Sequence, residues 1–437
     1  MTLFRISFCL IAGLIAVFNF LVCSGIEAQP MDANYDEAKV PLYSLPDPLI
    51  TAKGRTVTSA RQWTRERRPE ILRLFEENVY GRTPTNPPDF RLAFSTTSVD
   101  SLAINGTAIR KEVTVLFSRA PDAPRMRLLV FLPKDAPRPV PVFVGLNFDG
   151  NHTIHTDPGI TLPTVWSKPG KDQPPAEIRA LAETRGSSAS RWQLEKLLSR
   201  GYGLVTAWYG DIEPDFPEGW KHGVRGKLFG ASDSRPRQGN EWGAIGAWAW
   251  GLSRAMDYIE YDHEFDSKRV ALIGHSRLGK TALWAGAQDQ RFDAVISNDS
   301  GEGGAALSRR QFGETVKRIN TSFPHWFCDN YKKFNDRVPD LPVDQHMLIA
   351  LIAPRPVYVA SAAEDLWADP RGEFLAAKHA EPVYALFGRT GLEAGDMPGV
   401  NQPVGDYVAY HIRTGKHDVT EYDWDQYLNF TRRQFGR

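Results

Sequence analysis

The chain has 437 residues, of which 42% are hydrophobic and 24% charged, a composition typical of a globular protein with a sizeable core. Its 52 basic and 52 acidic residues give a net charge of zero, which argues against a nucleic-acid partner or an anionic membrane surface. Of its three cysteines, Cys9 and Cys23 lie in an apolar N-terminal stretch. Cys328 is then the one cysteine of the remaining chain, which excludes an internal disulfide there.

The chain begins with a pattern typical of a secretory signal peptide. One positive charge at Arg5 precedes an apolar run from Ile6 to Val22, and small residues follow near Ala28. We predict cleavage after Ala28, so that residues 1–28 are lost and the protein is exported to the periplasm or the cell exterior. A membrane anchor is the alternative, because the run approaches the ~20 residues that span a bilayer. No basic cluster follows the run, and a bulky valine precedes Cys23, which disfavours lipid attachment, so we expect no stable membrane association.

The segment after the predicted signal peptide is rich in proline and polar residues, and residues 29–58 are predicted to wrap the surface. A helix capped by Ser59 is predicted next, ending near Gly81. Farther along, segments typical of strands alternate with helical periodicity. The predicted strands are Val113–Phe117, Arg127–Leu132, Val140–Asn147, Leu204–Trp208, Val270–Gly274, Ala294–Ser297, Pro356–Ala360 and Tyr407–Ile412. The predicted helices run through Ile245–Ile259 and Thr281–Ala287.

This alternation predicts an α/β fold in which a mostly parallel central sheet has helices on both faces, forming a three-layer sandwich. We assign residues 29–110 to the N-terminal wrapping segment and helix, and residues 111–437 to a catalytic domain. Residues 151–192 and 211–241 are predicted to be long loops, which in compact domains often shape a site. Ligands bind such sheets at the carboxyl ends of their strands.

A serine lies where a predicted strand turns sharply into a predicted helix. The strand runs into Gly274-His275-Ser276-Arg277-Leu278-Gly279-Lys280. In the α/β-hydrolase fold the nucleophilic serine occupies such a turn, usually as G-x-S-x-G, because its strained backbone needs small neighbours. Here the second glycine comes one residue later. The alternative is an ordinary junction whose serine only caps the helix, but the order of the downstream residues favours Ser276 as a nucleophile.

The other members of a catalytic triad follow the serine in the order acid and then histidine on this fold. His417 follows the last predicted strand in a loop and suits the general base, whereas His411 lies within that strand and suits a structural role. Asp365 follows the penultimate predicted strand, the usual position for the acid. Asp299 follows the strand before it and is the alternative. We favour Asp365 because it occupies the usual turn.

Several separated motifs resemble those of the glucuronoyl esterases, carbohydrate esterase family 15. The displaced glycine is typical of that family, whose nucleophile motif is G-x-S-R-x-G-K. Gly145–His152 is similar to the family's G-L-N-F-x-G-N-H, and Asn298–Gly304 to its Q-E-S-G-x-G-G. The resemblance implies a triad acid at that glutamate as the alternative, but the shorter Asp299 replaces it here, and this departure is a second reason to favour Asp365. Phe312–Thr315 and Phe323–Phe327 are also similar to bacterial members. The resemblance implies a secreted serine esterase that cleaves esters of (4-O-methyl-)glucuronic acid, as in lignin–carbohydrate linkages, through an acyl-enzyme.

The resemblance also implies roles for residues outside the triad. Arg277 is expected to hold the oxyanion, and Lys280 and Glu314 to bind sugar hydroxyls. Trp367 is expected to form an aromatic platform, and Phe148 to line the leaving-group side. Charged partners for hydroxyls and an aromatic face for a pyranose are physically reasonable.

Two other functions remain open at this level. One is a broader carboxylesterase, such as a xylan acetyl esterase, although Arg277 with Lys280 suits a charged or hydroxylated acyl group better than acetate. The other is a catalytically inactive carbohydrate-binding protein of the same fold. His152, His155 and Asp157 have spacing too loose for a metal site, so we predict neither a metal nor a cofactor.

Overall fold

A computed structural model describes residues 30–167, 174–234 and 238–436. The predicted signal peptide, residues 1–28, lies outside the described residues. In the part of the chain that is described, no helix combines the length and the apolar character needed to cross a bilayer.

The strands have the following bounds: β1 Ala93–Leu102, β2 Ala108–Leu116, β3 Arg125–Pro133, β4 Val140–Asn147, β5 Thr164–Trp166, β6 Glu177–Arg179, β7 Gly203–Trp208, β8 Phe265–His275, β9 Ala294–Asn298, β10 Val357–Ala362, β11 Val404–Gly405 and β12 Val408–Arg413. Ten of them form one sheet in the order β1-β2-β3-β7-β4-β8-β9-β10-β12-β11, and β5 pairs with β6 separately. The run from β7 to β12 is parallel, whereas β1, β2 and β3 at one edge and β11 at the other pair antiparallel. The predicted mostly parallel sheet is confirmed.

The helices have the following bounds: α1 Ala60–Gln62, α2 Arg68–Asn78, α3 Ala103–Gly106, α4 Ala189–Trp192, α5 Leu194–Ser199, α6 Val224–Lys227, α7 Ala244–Tyr261, α8 Arg277–Gln288, α9 Val316–Ser322, α10 Gln345–Ala350, α11 Pro370–Ala385 and α12 Glu421–Gln434. A π-helical turn, Trp63–Arg67, joins α1 to α2. The Ser59 side chain caps α1 by accepting the Gln62 N–H at 3.3 Å, so the helix predicted after Ser59 is present. Short 3₁₀ turns and helices also occupy parts of the predicted loops 151–192 and 211–241.

Two hydrophobic cores lie on opposite faces of the sheet, because successive strand residues point to opposite sides. Within β4, Val142 and Val144 pack into the core that contains α7, α8 and α11 side chains. Phe143 packs into the other core, with Trp424 and Tyr427 of α12. Helices therefore cover both faces, and the predicted three-layer α/β arrangement is confirmed.

The N-terminal edge of the sheet differs from the sequence prediction. β2 spans residue 110, so the boundary drawn there falls inside a strand, and β1 precedes it within the segment assigned to the wrapping region. No strand was predicted over Ala93–Leu102. Its side chains are mostly exposed and largely polar, and an edge strand with little buried surface gives a weak hydrophobic pattern.

Candidate active site

The predicted site residues come together at one edge of the sheet. Phe148 follows β4, Ser276 follows β8 and Asp299 follows β9. Asp365 and His417 lie in the turns after β10 and β12. Since these strands are parallel, their carboxyl ends meet at the same edge, as expected for a ligand site in such a sheet.

Ser276 occupies a strained turn between β8 and α8. Its backbone has φ of 55° and ψ of −129°, a region that non-glycine residues rarely adopt. The turn is held by the Ser276 N–H, which donates to the Asn298 carbonyl at 2.9 Å. The hydroxyl thus sits beside the N-terminus of a helix, where free N–H groups favour negative charge.

The displaced glycine of the serine motif has a structural reason. A Cβ at Gly274 would lie 1.9 Å from the Leu278 carbonyl oxygen, a backbone atom that cannot move aside as the end of a flexible side chain could. A Cβ at Gly279 would lie 2.9 Å from the Ser300 Cβ. Both glycines let α8 start directly against β8 and the loop after β9. Leu278, at the position where the common motif has glycine, is buried in the core.

His417 pairs with Asp365 and not with Asp299. The Nδ1 atom of His417 lies 2.6 Å from Asp365 Oδ2. The Asp365 side chain is 5% exposed and that of His417 38% exposed, so the acid is buried while the ring reaches solvent. The two loops are joined by the Glu364 N–H, which donates to the Gly415 carbonyl at 3.0 Å. An imidazole held at Nδ1 by a carboxylate presents Nε2 as a base.

His275, the residue before the serine, packs against the loop that carries His417. The rings of His275 and His417 lie 4.5 Å apart between centroids. Burial, together with the nearby His417, lowers the pKa of His275 well below its usual value. His275 is therefore neutral, and its Nδ1 lies 2.6 Å from the Asn298 amide oxygen. A neutral imidazole can pack here without repelling a His417 that gains a proton.

Asp299 is buried in the same region with different partners. Its Oδ2 lies 3.4 Å from Arg413 Nη2 and accepts the Asp418 N–H at 3.3 Å, while its Oδ1 has no partner among the described residues. Burial, together with the charge of Asp365, raises the pKa of Asp299 well above its usual value. Among the described residues, Asp299 therefore contacts Arg413 and a backbone N–H rather than the imidazole of His417.

One group in the described ranges has the donor atoms that a metal could use. Ligand atoms of Asp299, Asp365 and His417 lie within 4.8 Å of one another. The Asp365–His417 hydrogen bond uses two of these donors. The three residues considered earlier contact other groups: His152 lies 2.8 Å from the Thr184 hydroxyl, His155 lies 2.9 Å from Glu195, and Asp157 pairs with Arg110.

The Arg277 guanidinium is held by a carboxylate that was not predicted from sequence. Its Nη1 donates to Asp215 Oδ2. Asp215 lies in the loop after β7 and shows no motif of its own, so no sequence signal marked it. Two of its other partners, His325 and Trp326, lie within the Phe323–Phe327 motif, which the sequence analysis connects with the family only by resemblance.

The predicted sugar-binding residues form a connected group. Lys280 Nζ lies 3.7 Å from Glu314 Oε2 and donates to the Ser300 carbonyl at 2.6 Å. The Glu314 N–H donates to the Trp367 carbonyl at 3.0 Å. Burial lowers the pKa of Lys280 and raises that of Glu314. The ring centroid of Phe148 lies 5.8 Å from the Arg277 guanidinium carbon.

The N-terminal segment supports this group directly. The Asn34 carbonyl accepts the Gly313 N–H at 2.8 Å, and the Tyr35 ring meets Phe312 edge-on at 6.2 Å between centroids. Arg318, which lies 5.9 Å from the Trp367 ring centroid, pairs with Asp32 at 3.1 Å. The segment predicted to wrap the surface therefore packs beside the predicted substrate-binding residues.

Together, the doubly covered parallel sheet and a serine on the turn after a central strand define an α/β hydrolase. The "Glucuronyl esterase, fungi" family profile matches residues 236–388. The carbohydrate esterase MZ0003, from an unknown prokaryotic organism, is 53% identical over 407 residues, which cover 93% of each chain. The glucuronoyl esterase from Solibacter usitatus is 54% identical with a TM-score of 0.86, covering 91% of this chain and all of that one. A structure described as a promiscuous CE15 esterase from the marine bacterial metagenome is 51% identical with a TM-score of 0.84, covering 92% of this chain and all of that one.

The chain belongs to the glucuronoyl esterases of carbohydrate esterase family 15, as its motifs predicted. It is therefore a carboxylic ester hydrolase, and the predicted enzyme class is confirmed.

Proposed function

We propose that the chain hydrolyses esters of (4-O-methyl-)glucuronic acid through a Ser276–His417–Asp365 triad, after export from the cell. The observation that carries the proposal is the 2.6 Å contact between His417 Nδ1 and the buried Asp365, beside a serine on a strained turn. In this proposal His417 Nε2 takes the Ser276 hydroxyl proton as the oxygen attacks the ester carbonyl. Asp365 fixes the tautomer and stabilises the imidazolium that forms.

The developing oxyanion is stabilised by Arg277 in two ways. Its backbone N–H is the first of α8, and its guanidinium is held next to the turn by Asp215. Donors fixed before the reaction are effective because they need no reorganisation as charge develops. When the tetrahedral intermediate collapses, the alcohol leaves with the proton from His417. Water, activated by the same histidine, then attacks the acyl-enzyme, which releases the uronic acid and restores Ser276.

The acyl group of the proposed substrate is a hydroxylated pyranose. Lys280 and Glu314 supply a buried cation and a buried carboxyl for its hydroxyls, and Trp367 supplies an aromatic face. The alcohol lies toward Phe148. An ester that links a polysaccharide to a lignin alcohol would supply both parts, a hydroxylated acyl group for Lys280 and Glu314 and an aromatic alcohol for Phe148.

A broader esterase activity is the second candidate, because a relative at 51% identity is described as promiscuous. Kinetics on a benzyl glucuronate ester and an aryl acetate separate the two. We expect kcat/KM to favour the glucuronate ester, since buried polar groups left unpaired by acetate cost roughly 1–3 kcal/mol each. Equal turnover of both substrates would favour the broader activity.

The nucleophile is tested by Ser276→Ala. We expect the variant to fold and to lose roughly 10⁴-fold or more in kcat, because triad members act as a unit. The exposed Ser199→Ala is the matched control and should keep full activity. Labelling by a fluorophosphonate should disappear only in the Ser276 variant. Retention of even a tenth of the activity without Ser276 is incompatible with the proposal.

A further inference from the structure

Asp215 receives hydrogen bonds from side chains of three separate segments. Its Oδ1 accepts from His325 Nε2 at 2.8 Å and from Trp326 Nε1 at 2.7 Å. Its Oδ2 accepts from the Tyr209 hydroxyl at 3.1 Å and from Arg277 Nη1. Both carboxylate oxygens thus have two donors, which leaves the carboxylate little freedom to rotate.

The hydrogen bonds and the nearby Arg277 charge favour the ionised form of Asp215. Burial opposes its ionisation, but the hydrogen bond from His325 and the charge of Arg277 outweigh burial and hold the pKa of Asp215 below its usual range. A carboxylate in this position offsets the cost of confining the Arg277 charge, whose side chain is only 29% exposed. Removing one partner of such a pair leaves the other charge uncompensated.

The guanidinium is also confined by aromatic rings. Its central carbon lies 4.9 Å from the Trp326 ring centroid and 5.7 Å from that of Phe323, distances at which a cation is attracted to a ring face. The guanidinium is planar, so fixing Nη1 on Asp215 also fixes the direction of its other N–H bonds. Among these, Nε is buried and has no acceptor among the described residues.

We propose that Asp215 is a positioning residue, which orients Arg277 so that its unpartnered Nε–H meets the oxygen that becomes negatively charged in the reaction. His325 acts one step farther away, because it bonds Asp215 and makes no direct hydrogen bond to Arg277 among the described residues. This inference rests on the proposed role of Arg277 at the oxyanion. Asp215 itself contacts neither substrate nor serine in this arrangement.

The test is a double-mutant cycle on Asp215 and Arg277, with kcat and KM measured on a glucuronate ester. Asp215→Asn should lower kcat by about 10- to 100-fold and change KM by less than about three-fold, because the interaction acts on the transition state. In an Arg277→Ala background, which itself should lower kcat by about 10²–10³-fold, Asp215→Asn should cost less than about three-fold. A residue that acts through another has no further effect once that other is gone.

Two further variants keep the test decisive. His325→Phe removes a donor to Asp215 without touching Arg277, and we expect a loss of about 3- to 10-fold that also vanishes in the Arg277→Ala background. It replaces Asp215→Asn if that variant does not fold. Asp211→Asn is the matched control, since Asp211 lies in the same loop but pairs with Arg127, and its kcat should be unchanged in a variant that remains folded.

The outcomes separate this inference from the proposed function. If Arg277→Ala leaves kcat unchanged, the proposed oxyanion role is wrong, and the inference fails with it. If Arg277→Ala lowers kcat as expected but Asp215→Asn costs the same in both backgrounds, Asp215 has only a structural role. In that case the positioning inference is overturned while the proposed mechanism stands.

Discussion

Replacing Asp365 by asparagine tests which carboxylate serves His417. The pair is a short contact, 2.6 Å between His417 Nδ1 and Asp365 Oδ2, and the acid is buried. Asparagine keeps the shape but removes the negative charge. If its amide group turns to the ring, it also donates to Nδ1 and moves the imidazole proton to Nε2, where it blocks the base.

The magnitude follows from the charge that is lost. When the imidazole gains a proton, its charge lies about 4 Å from that of the carboxylate, and an effective dielectric constant of about 20 gives roughly 4 kcal/mol of attraction. Since about 1.36 kcal/mol corresponds to ten-fold in rate, the loss is about 10³-fold. A tautomer change adds to it. We therefore expect Asp365→Asn to lower kcat by at least ~10³-fold.

Asp299→Asn is the matched comparison. Asparagine keeps the shape of Asp299 but replaces one of its acceptor oxygens by an amide group that donates. Its contacts are with Arg413 and the Asp418 N–H rather than with the imidazole. We expect a loss of about 10- to 100-fold through these local hydrogen bonds.

The assay is kcat on a glucuronate ester, with circular dichroism and thermal unfolding to establish that each variant is folded. The order of the two losses decides the question. If Asp299→Asn is the more damaging substitution, Asp299 is the triad acid, and the reasoning from the 2.6 Å contact is wrong.

Two further predictions concern stability. Burial raises the pKa of Glu302 from 4.5 to about 8. Between those pH values the folded state therefore holds a proton that the unfolded chain has lost. The free energy of unfolding should fall as pH rises through this window and level off above it. In urea titrations at several pH values, Glu302→Gln should make this fall shallower by about 1 kcal/mol per pH unit, whereas substitution of the exposed Glu183 by glutamine should not. Equal pH slopes in the unsubstituted protein and both variants would contradict the raised pKa of Glu302. Gly274→Ala should fail to give folded protein, because its Cβ would lie 1.9 Å from the Leu278 carbonyl oxygen. Gly395→Ala is the control, since its Cβ would have no atom within 4 Å, and its thermal unfolding should be unchanged. Normal thermal unfolding of the Gly274 variant would show that the turn can relax.

The parallel part of the sheet was predictable because its strands are buried on both faces. Segments such as Val140–Asn147 and Gly203–Trp208 are buried along their whole length and mostly apolar, and their alternation with helical periodicity predicts the layers. Ala93–Leu102 was not predictable in this way. As an exposed edge strand it buries little, and its pairing with β2 is a tertiary contact that composition does not reveal.

The motifs placed Ser276 and His417 by local rules, since a strand–turn–helix junction and a loop after the last strand are readable from consecutive residues. The choice between Asp365 and Asp299 could not be made by such a local rule. Both follow parallel strands at the same edge, so both lie close to His417, and only the direction of each side chain separates them. The structure gives the contact to Asp365 and an arginine to Asp299.

The sequence by itself determined the fold class and the enzyme family and named the candidate reacting groups, because these depend on short patterns that can be read from consecutive residues. The tertiary structure alone decided which groups support them. Asp215 and Arg277 are 62 residues apart in the sequence, and Asn34 and Gly313 are farther apart still, yet each pair is hydrogen-bonded. Such contacts depend on how distant loops pack, and a carboxylate or a carbonyl in an irregular segment carries no periodicity or spacing that would mark its partner.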